Sequence, residues 1–154
     1  MMETRKPKRV SEFPGGGKMR EKIIEATIRE FSKNGLKFTM NDLAKQLGIS
    51  KKTIYTVFES KQAVLVAVAD YYTADLDSMR KELEEDTSLD VIQKLEKLLC
   101  ALPEKYYNIG LSRIYELSEK YPKPYRHLMR AVNRGWDQAQ KYLKEGMEAG
   151  LIRE

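Results

Sequence analysis

The 154-residue chain contains one cysteine, one histidine and one tryptophan. A lone cysteine excludes an internal disulfide, and with only one histidine beside it a structural zinc site has too few of its ordinary donors. No stretch approaches the roughly 18 consecutive apolar residues that a spanning helix needs, and the N-terminus lacks the apolar core of a signal peptide. A membrane is therefore not expected, and a reducing cytoplasmic location is. Groups for chemistry are equally scarce. One histidine allows at most one His-centred acid/base site, and neither a glycine-rich phosphate loop nor a nucleophile elbow is present. The reading is of a protein that is not an enzyme, with no catalytic residues, no metal and no cofactor. The carboxylates Glu82, Glu84, Glu85 and Asp86 have no matching ligands around them and read as a solvated helix end. His127, close to a helix start, reads as a surface residue rather than a pH sensor or metal ligand.

What the chain does have is a hydrophobic fraction of 42%, enough to bury a core, and a net charge of +5 that is unevenly spread. Residues 1–61 carry 14 Lys and Arg against 7 Asp and Glu, a net +7, whereas residues 62–154 carry 14 against 16, a net −2. Lys and Arg displace condensed counterions from phosphates, so the N-terminal part is the end suited to a polyanion.

Residues 1–17 hold Lys6-Pro7-Lys8-Arg9 and then three glycines, with no helical or strand period. They read as a flexible basic tail, either an arm along DNA or an appended leader ahead of a start at Met19. From Lys18 the period becomes helical, with Ile23, Ile24, Thr27, Ile28 and Phe31 on one stripe ended by Gly35. Thr39 caps the next helix, over about 40–47, with Asp42 in its first turn; Gly48 stops it and Ser50 caps a short helix over about 51–58. Ser60 caps a long helix from Lys61 to about Leu83. Further helices are read over about 91–102, 104–120 and 124–149, with Pro103, Pro122 and Pro124 as punctuation. No strand pattern competes, so the fold class is all-α: an N-terminal three-helix unit over 18–61 and a helical region over 62–154.

Two short capped helices joined at Gly48 have the layout of a helix-turn-helix, in which the second helix enters the major groove. A groove about 12 Å wide admits a helix only if its exposed face offers donors and small groups. Lys51, Lys52, Thr53, Tyr55 and Thr56 suit that face, while Ile54 and Phe58 turn inward.

The run Thr39-Met40-Asn41-Asp42-Leu43-Ala44, then Gly48-Ile49-Ser50-Lys51-Lys52-Thr53-Ile54-Tyr55-Thr56-Val57-Phe58-Glu59-Ser60-Lys61, resembles the DNA-binding signature of the TetR family of bacterial regulators. The resemblance implies a transcriptional regulator, a repressor that binds a palindromic double-stranded operator as a homodimer and leaves it when a small-molecule effector enters the C-terminal helices. It implies that Thr39, Tyr55 and Lys61 meet phosphates and that Lys51, Lys52 and Thr53 face base edges, with Ser50 and Thr56 completing the DNA-facing set. The alternative is an effector-independent DNA-binding or protein-interaction module derived from the same fold. Two positions depart from the family pattern: Val57, where an aromatic or histidine is common, predicts weaker phosphate anchoring, and Lys52, where glycine is common, adds charge. The family also continues past Gly150-Leu151-Ile152-Arg153 with two more helices that build a dimer interface. The helical effector and dimerisation region is thus expected to lack its last two helices, or to dimerise through the helices over 104–120 and 124–149.

Polar-tipped aromatic and soft residues in the C-terminal half are candidates to line an effector pocket: Tyr72, Cys100, Tyr106, Tyr107, Tyr115, Met129 and Trp136, with Trp136 the first choice. Gly135 and Ala139, four apart, would let a neighbouring helix or a pocket mouth come close.

Overall fold

The structure, a computed structural model, describes residues 17–100 and 111–153. Seven α-helices are found among them: α1 (Lys18–Asn34), α2 (Met40–Leu47), α3 (Lys51–Val57), α4 (Lys61–Glu85), α5 (Val91–Cys100), α6 (Leu111–Lys120) and α7 (Pro122–Glu148). No strand occurs among the described residues, and the all-α expectation holds. The expected basic tail and the 104–110 part of a predicted helix lie outside the described residues.

α1 buries Ile23, Ile24, Ala26, Thr27 and Phe31, close to the predicted stripe, although Ile28 is only half-buried. Thr27 is tolerated in the core because its hydroxyl donates to the Ile23 carbonyl at 2.7 Å. A 3₁₀ turn over Gly35–Lys37 follows, which the sequence period does not reveal. α7 starts at Pro122 rather than 124: both Pro122 and Pro124 fall in its first turn, where a missing N–H leaves no intrahelical bond unmade. α5 is capped by a reciprocal pair in which the Gln93 amide N–H bonds the Asp90 carboxylate at 2.8 Å and the Asp90 N–H bonds the Gln93 side chain at 3.0 Å.

The core is continuous across the start of α4. Ile23 of α1, Leu43 of α2, Ile54 of α3 and Val64 of α4 are fully buried together, and the same cluster takes in Leu65, Val68 and Tyr72 of α4 and Leu117 of α6. Tyr121 and Tyr125 pack against its edge. The three-helix head therefore shares its apolar interior with the helices that follow.

α4 and α7 lie side by side and run in the same direction. Asp70 pairs with His127, Asp77 with Arg134 and Glu84 with Lys141, and a constant offset of 57 residues is what parallel neighbours produce. Leu76, Leu83, Ala131, Ala139 and Tyr142 are buried along these two helices.

Candidate nucleic-acid interface

The geometry of the α2–α3 pair is set by a chain of caps. At the start of α2 the Thr39 hydroxyl accepts from the Asp42 N–H at 3.2 Å, while the Asp42 carboxylate accepts from the Thr39 N–H at 2.8 Å and from its hydroxyl at 2.7 Å. These bonds, the hydroxyl's foremost, hold the Asp42 carboxyl below its ordinary range. Gly48 adopts φ 63° and ψ 32°, a left-handed turn that lets its N–H and that of Ile49 reach the carbonyls ending α2. The Ser50 hydroxyl accepts from the Thr53 N–H at 3.0 Å and so starts α3, and the Ser60 hydroxyl accepts from the Ala63 N–H at 3.1 Å and starts α4.

Between these caps α3 is pinned by a single fully buried side chain, Ile54, with Phe58 buried just beyond its end. Its other face is polar and open. Lys51, Lys52 and Thr56 are exposed, Tyr55 is 44% exposed, and Thr53 is half-buried with its hydroxyl 2.8 Å from that of Ser50. The Lys51 ammonium stands 6.0 Å from the Tyr55 ring centroid, a loose cation–π contact, and the Thr56 hydroxyl donates to the Thr53 carbonyl at 2.6 Å. The exposed face thus presents two ammonium groups, a phenol and short hydroxyls, which is what a groove-reading helix needs. Val57 is half-buried and packs against the core, so it adds no polar group to that face.

Lys61 is placed differently from the expectation. Its ammonium turns inward, donating to the Leu36 carbonyl at 2.5 Å and to the Phe38 carbonyl, and stands 4.1 Å from the Phe38 ring centroid and 5.6 Å from that of Tyr121. Burial pushes its pKa below the ordinary lysine value. With its donors on backbone carbonyls of the α1–α2 connection, this side chain fixes the head to the first turn of α4 instead of reaching out to a phosphate.

The candidate effector residues do not converge. Tyr72, whose phenol burial pushes its pKa up, lines a void of about 40 Å³ with Phe31, Leu65, Val68, Ile114 and Leu128. Trp136 lines a separate cavity of about 180 Å³ between α4, α5 and α7, with Leu76, Met79, Leu98, Val132 and Ala139 among its walls. Gly135 lies beside it there, as its spacing from Ala139 suggests. Cys100 is exposed, Tyr115 is 66% exposed and donates its hydroxyl to Glu119, and Met129 is half-buried; none of the three lines either cavity. Tyr106 and Tyr107 lie outside the described residues. A residue that the sequence reading passed over is Arg80, buried at the same cavity, with its guanidinium on Asp77 and on the Ala131 carbonyl at 3.2 Å. Its signal was a charge on the apolar stripe of α4, between Leu76 and Leu83.

Comparison with known proteins places this arrangement in context. Residues 23–68 match the family model described as bacterial regulatory proteins, tetR family. The uncharacterized HTH-type transcriptional regulator YvaF of Bacillus subtilis is 29% identical over 135 residues, covering 88% of this chain and 71% of the relative. Among solved structures, a transcriptional regulator from Saccharomonospora viridis in complex with choline superposes with a TM-score of 0.72 at 21% identity, over 89% of this chain and 74% of that one. The TetR family regulator PfmR from Thermus thermophilus gives a TM-score of 0.71 at 22% identity, over 86% and 74%. At these identities the solved structures speak for the fold.

Proposed function

We propose that the chain is a DNA-binding transcriptional regulator of the TetR family of bacterial regulatory proteins, and a repressor that holds a palindromic operator as a homodimer and is released by a small-molecule effector. The observation that carries this is the outward face of α3, held at its start by the Ser50 cap and from within by Ile54. In this reading Lys51, Lys52 and Thr53 face base edges, while Thr39, Ser50, Tyr55 and Thr56 meet or border the phosphate backbone. Lysine donating to guanine O6 and N7 makes Lys51 and Lys52 the groups for direct readout.

The effector would enter the cavity beside Trp136, where apolar walls surround one buried guanidinium, that of Arg80. The choline complex of the S. viridis regulator supports a ligand site within this fold. No helix among the described residues is long and apolar enough to cross a membrane, which accords with a regulator working in the cytoplasm. A homodimer suits a palindromic operator, since two heads about 34–36 Å apart can read adjacent major grooves on one face of the duplex.

The test is to incubate the chain with fragmented source DNA at moderate salt, then recover and sequence the bound fraction. A few palindromic peaks near promoters are expected. Recovery without sequence preference, at an affinity that still falls linearly in log salt, would replace the repressor reading with that of an effector-independent architectural module.

A further inference from the structure

We propose that Arg113 of α6 is the positioning residue through which the helical region sets the pose of the DNA-reading head. This rests on the DNA-binding reading above. The Arg113 Nη1 donates to the Phe31 carbonyl at 2.9 Å and to the Ser32 carbonyl at 2.7 Å, bridging 82 and 81 residues of sequence. Both acceptors belong to the last turn of α1, where the helix dipole favours a cation; the Phe31 carbonyl also receives the Gly35 N–H, so Arg113 adds a second donor there. The guanidinium carbon also stands 5.8 Å from the Phe31 ring centroid. A helix terminus in the head is therefore capped by a side chain from outside it.

The rest of α6 reinforces the hold. Gly35, the buried residue that ends α1, lies so close beneath α6 that a Cβ there would sit 3.7 Å from a Glu116 carboxylate oxygen and 4.0 Å from Arg113 Nε. Leu117 enters the head's own core, and Tyr121, at the corner between α6 and α7, lies 5.6 Å from the Lys61 ammonium that grips Leu36 and Phe38. α6 thus meets the last turn of α1 through Arg113, lies beside Gly35 at Glu116, and enters the core through Leu117. The void lined by Phe31, Tyr72, Arg113 and Leu117 lies at the same joint and leaves it apolar room to shift.

The paired helices α4 and α7 contrast with this. Three cross-pairs at one constant offset fix their register, and the start of α4 is already part of the head's apolar core. α6, by contrast, meets the end of α1 through the polar bonds of Arg113, a joint that can be lost while the apolar contact of α4 with the head stays intact. Bonds from one guanidinium to two carbonyls depend steeply on distance and angle, so a small shift of α6 breaks them together.

Hydrogen–deuterium exchange on the full chain tests this, comparing the wild type with Arg113→Met, Arg113→Lys and Arg113→Gln, with and without a duplex selected by the wild type. In free Arg113→Met, amides of residues 31–37 should exchange at least about 5-fold faster while those of 51–57 keep their wild-type rates, the low end of the coupling seen between linked sites. Duplex should protect α6 in the wild type and in Arg113→Lys, and leave α6 unprotected in Arg113→Met although the head is still occupied. Unchanged exchange at 31–37, or equal protection of α6 with Met and with Arg, overturns the assignment. Should the Met variant not fold, Arg113→Gln, which keeps an amide donor but no charge, is held to the same two criteria. A wild type that binds no duplex would sink the regulator reading, and the free-state comparison would still decide the role of Arg113.

Discussion

Arg134 of α7 grips Asp77 of α4 through two nitrogens: Nε reaches one carboxylate oxygen at 3.1 Å, and Nη2 reaches that oxygen at 3.0 Å and the other at 2.9 Å. The same carboxylate also receives the guanidinium of the buried Arg80. One turn-pair to either side, Asp70 meets His127 and Glu84 meets Lys141, each at 2.8 or 2.9 Å. In the three cross-pairs the acid is on α4 and the base on α7, at heptad spacing, which is how charges beside a parallel two-helix seam specify register.

These pairs are not equivalent. Glu84 and Lys141 are both more than half exposed, so solvent and salt leave their pair little net worth. Asp77 serves a largely buried guanidinium as well as an exposed one. Asp77→Asn is expected to cost about 1–3 kcal/mol, because a hydrogen bond to a buried charge is lost, and Glu84→Gln clearly less. Urea unfolding of the two variants checks this, and equal midpoints would show that Arg80 does not depend on Asp77.

Two lysines near the head should part company when duplex affinity is followed against salt. Lys52→Ala is expected to lower the slope of log affinity against log salt by about one and to relax sequence preference, the signature of a removed cation at the groove. Lys61→Met should leave that slope alone and instead lower stability by about 1 kcal/mol, since the Leu36 and Phe38 carbonyls lose their donor. A slope change of equal size in both variants would return Lys61 to the phosphate backbone.

The Thr39–Asp42 cap carries a pH dependence whose sign is fixed. Asp42 has its pKa lowered on folding, so the unfolded chain binds more protons in the window just below the ordinary carboxylate value, and stability is lost as pH falls through the lowered one. Thr39→Ala removes the largest cause of the shift. The variant should be less stable than wild type by about 1 kcal/mol near neutrality, the usual worth of an N-cap, with the gap narrowing in acid. Parallel stability curves from pH 7 to pH 3 would disconnect the cap from the titration.

At the far end of α7, Ile152 folds back over Gly146, whose added Cβ would stand 2.7 Å from the isoleucine Cδ1 and 3.5 Å from that of Ile92 on α5. Gly146→Ala is expected to yield less than alanine's usual helix advantage of about 1 kcal/mol, because the Ile152 side chain must move aside to admit the methyl. Adding Ile152→Ala should make the second substitution less costly than it is in the wild type. A thermal-unfolding double-mutant cycle with no coupling would contradict that contact.

How much of this was readable beforehand depended on the kind of partner involved. Thr39, Ser50 and Ser60 were legible as caps because a cap is a local arrangement of side chain and backbone spanning four residues. The outward set on α3 was legible because Ile54 fixes which side of a seven-residue helix faces the core. Lys61 and Arg113 were not, because their acceptors are backbone carbonyls far away in sequence, and a carbonyl carries no residue identity to search for. The aromatic residues were legible as apolar area but not as a pocket: Tyr72 and Trp136 sit on different cavities, and Tyr115 points its ring to solvent, because helical periodicity assigns a face and not a neighbour.

The position of Trp136 gives the chain a built-in optical probe. As the sole indole, 59% exposed and on the wall of the α4–α5–α7 cavity, it makes the long-wavelength emission of the whole protein a report from one address. A compound that enters the cavity should shift or quench that light directly, without labelling, and a library of small molecules can be screened on the unmodified protein before any operator is known.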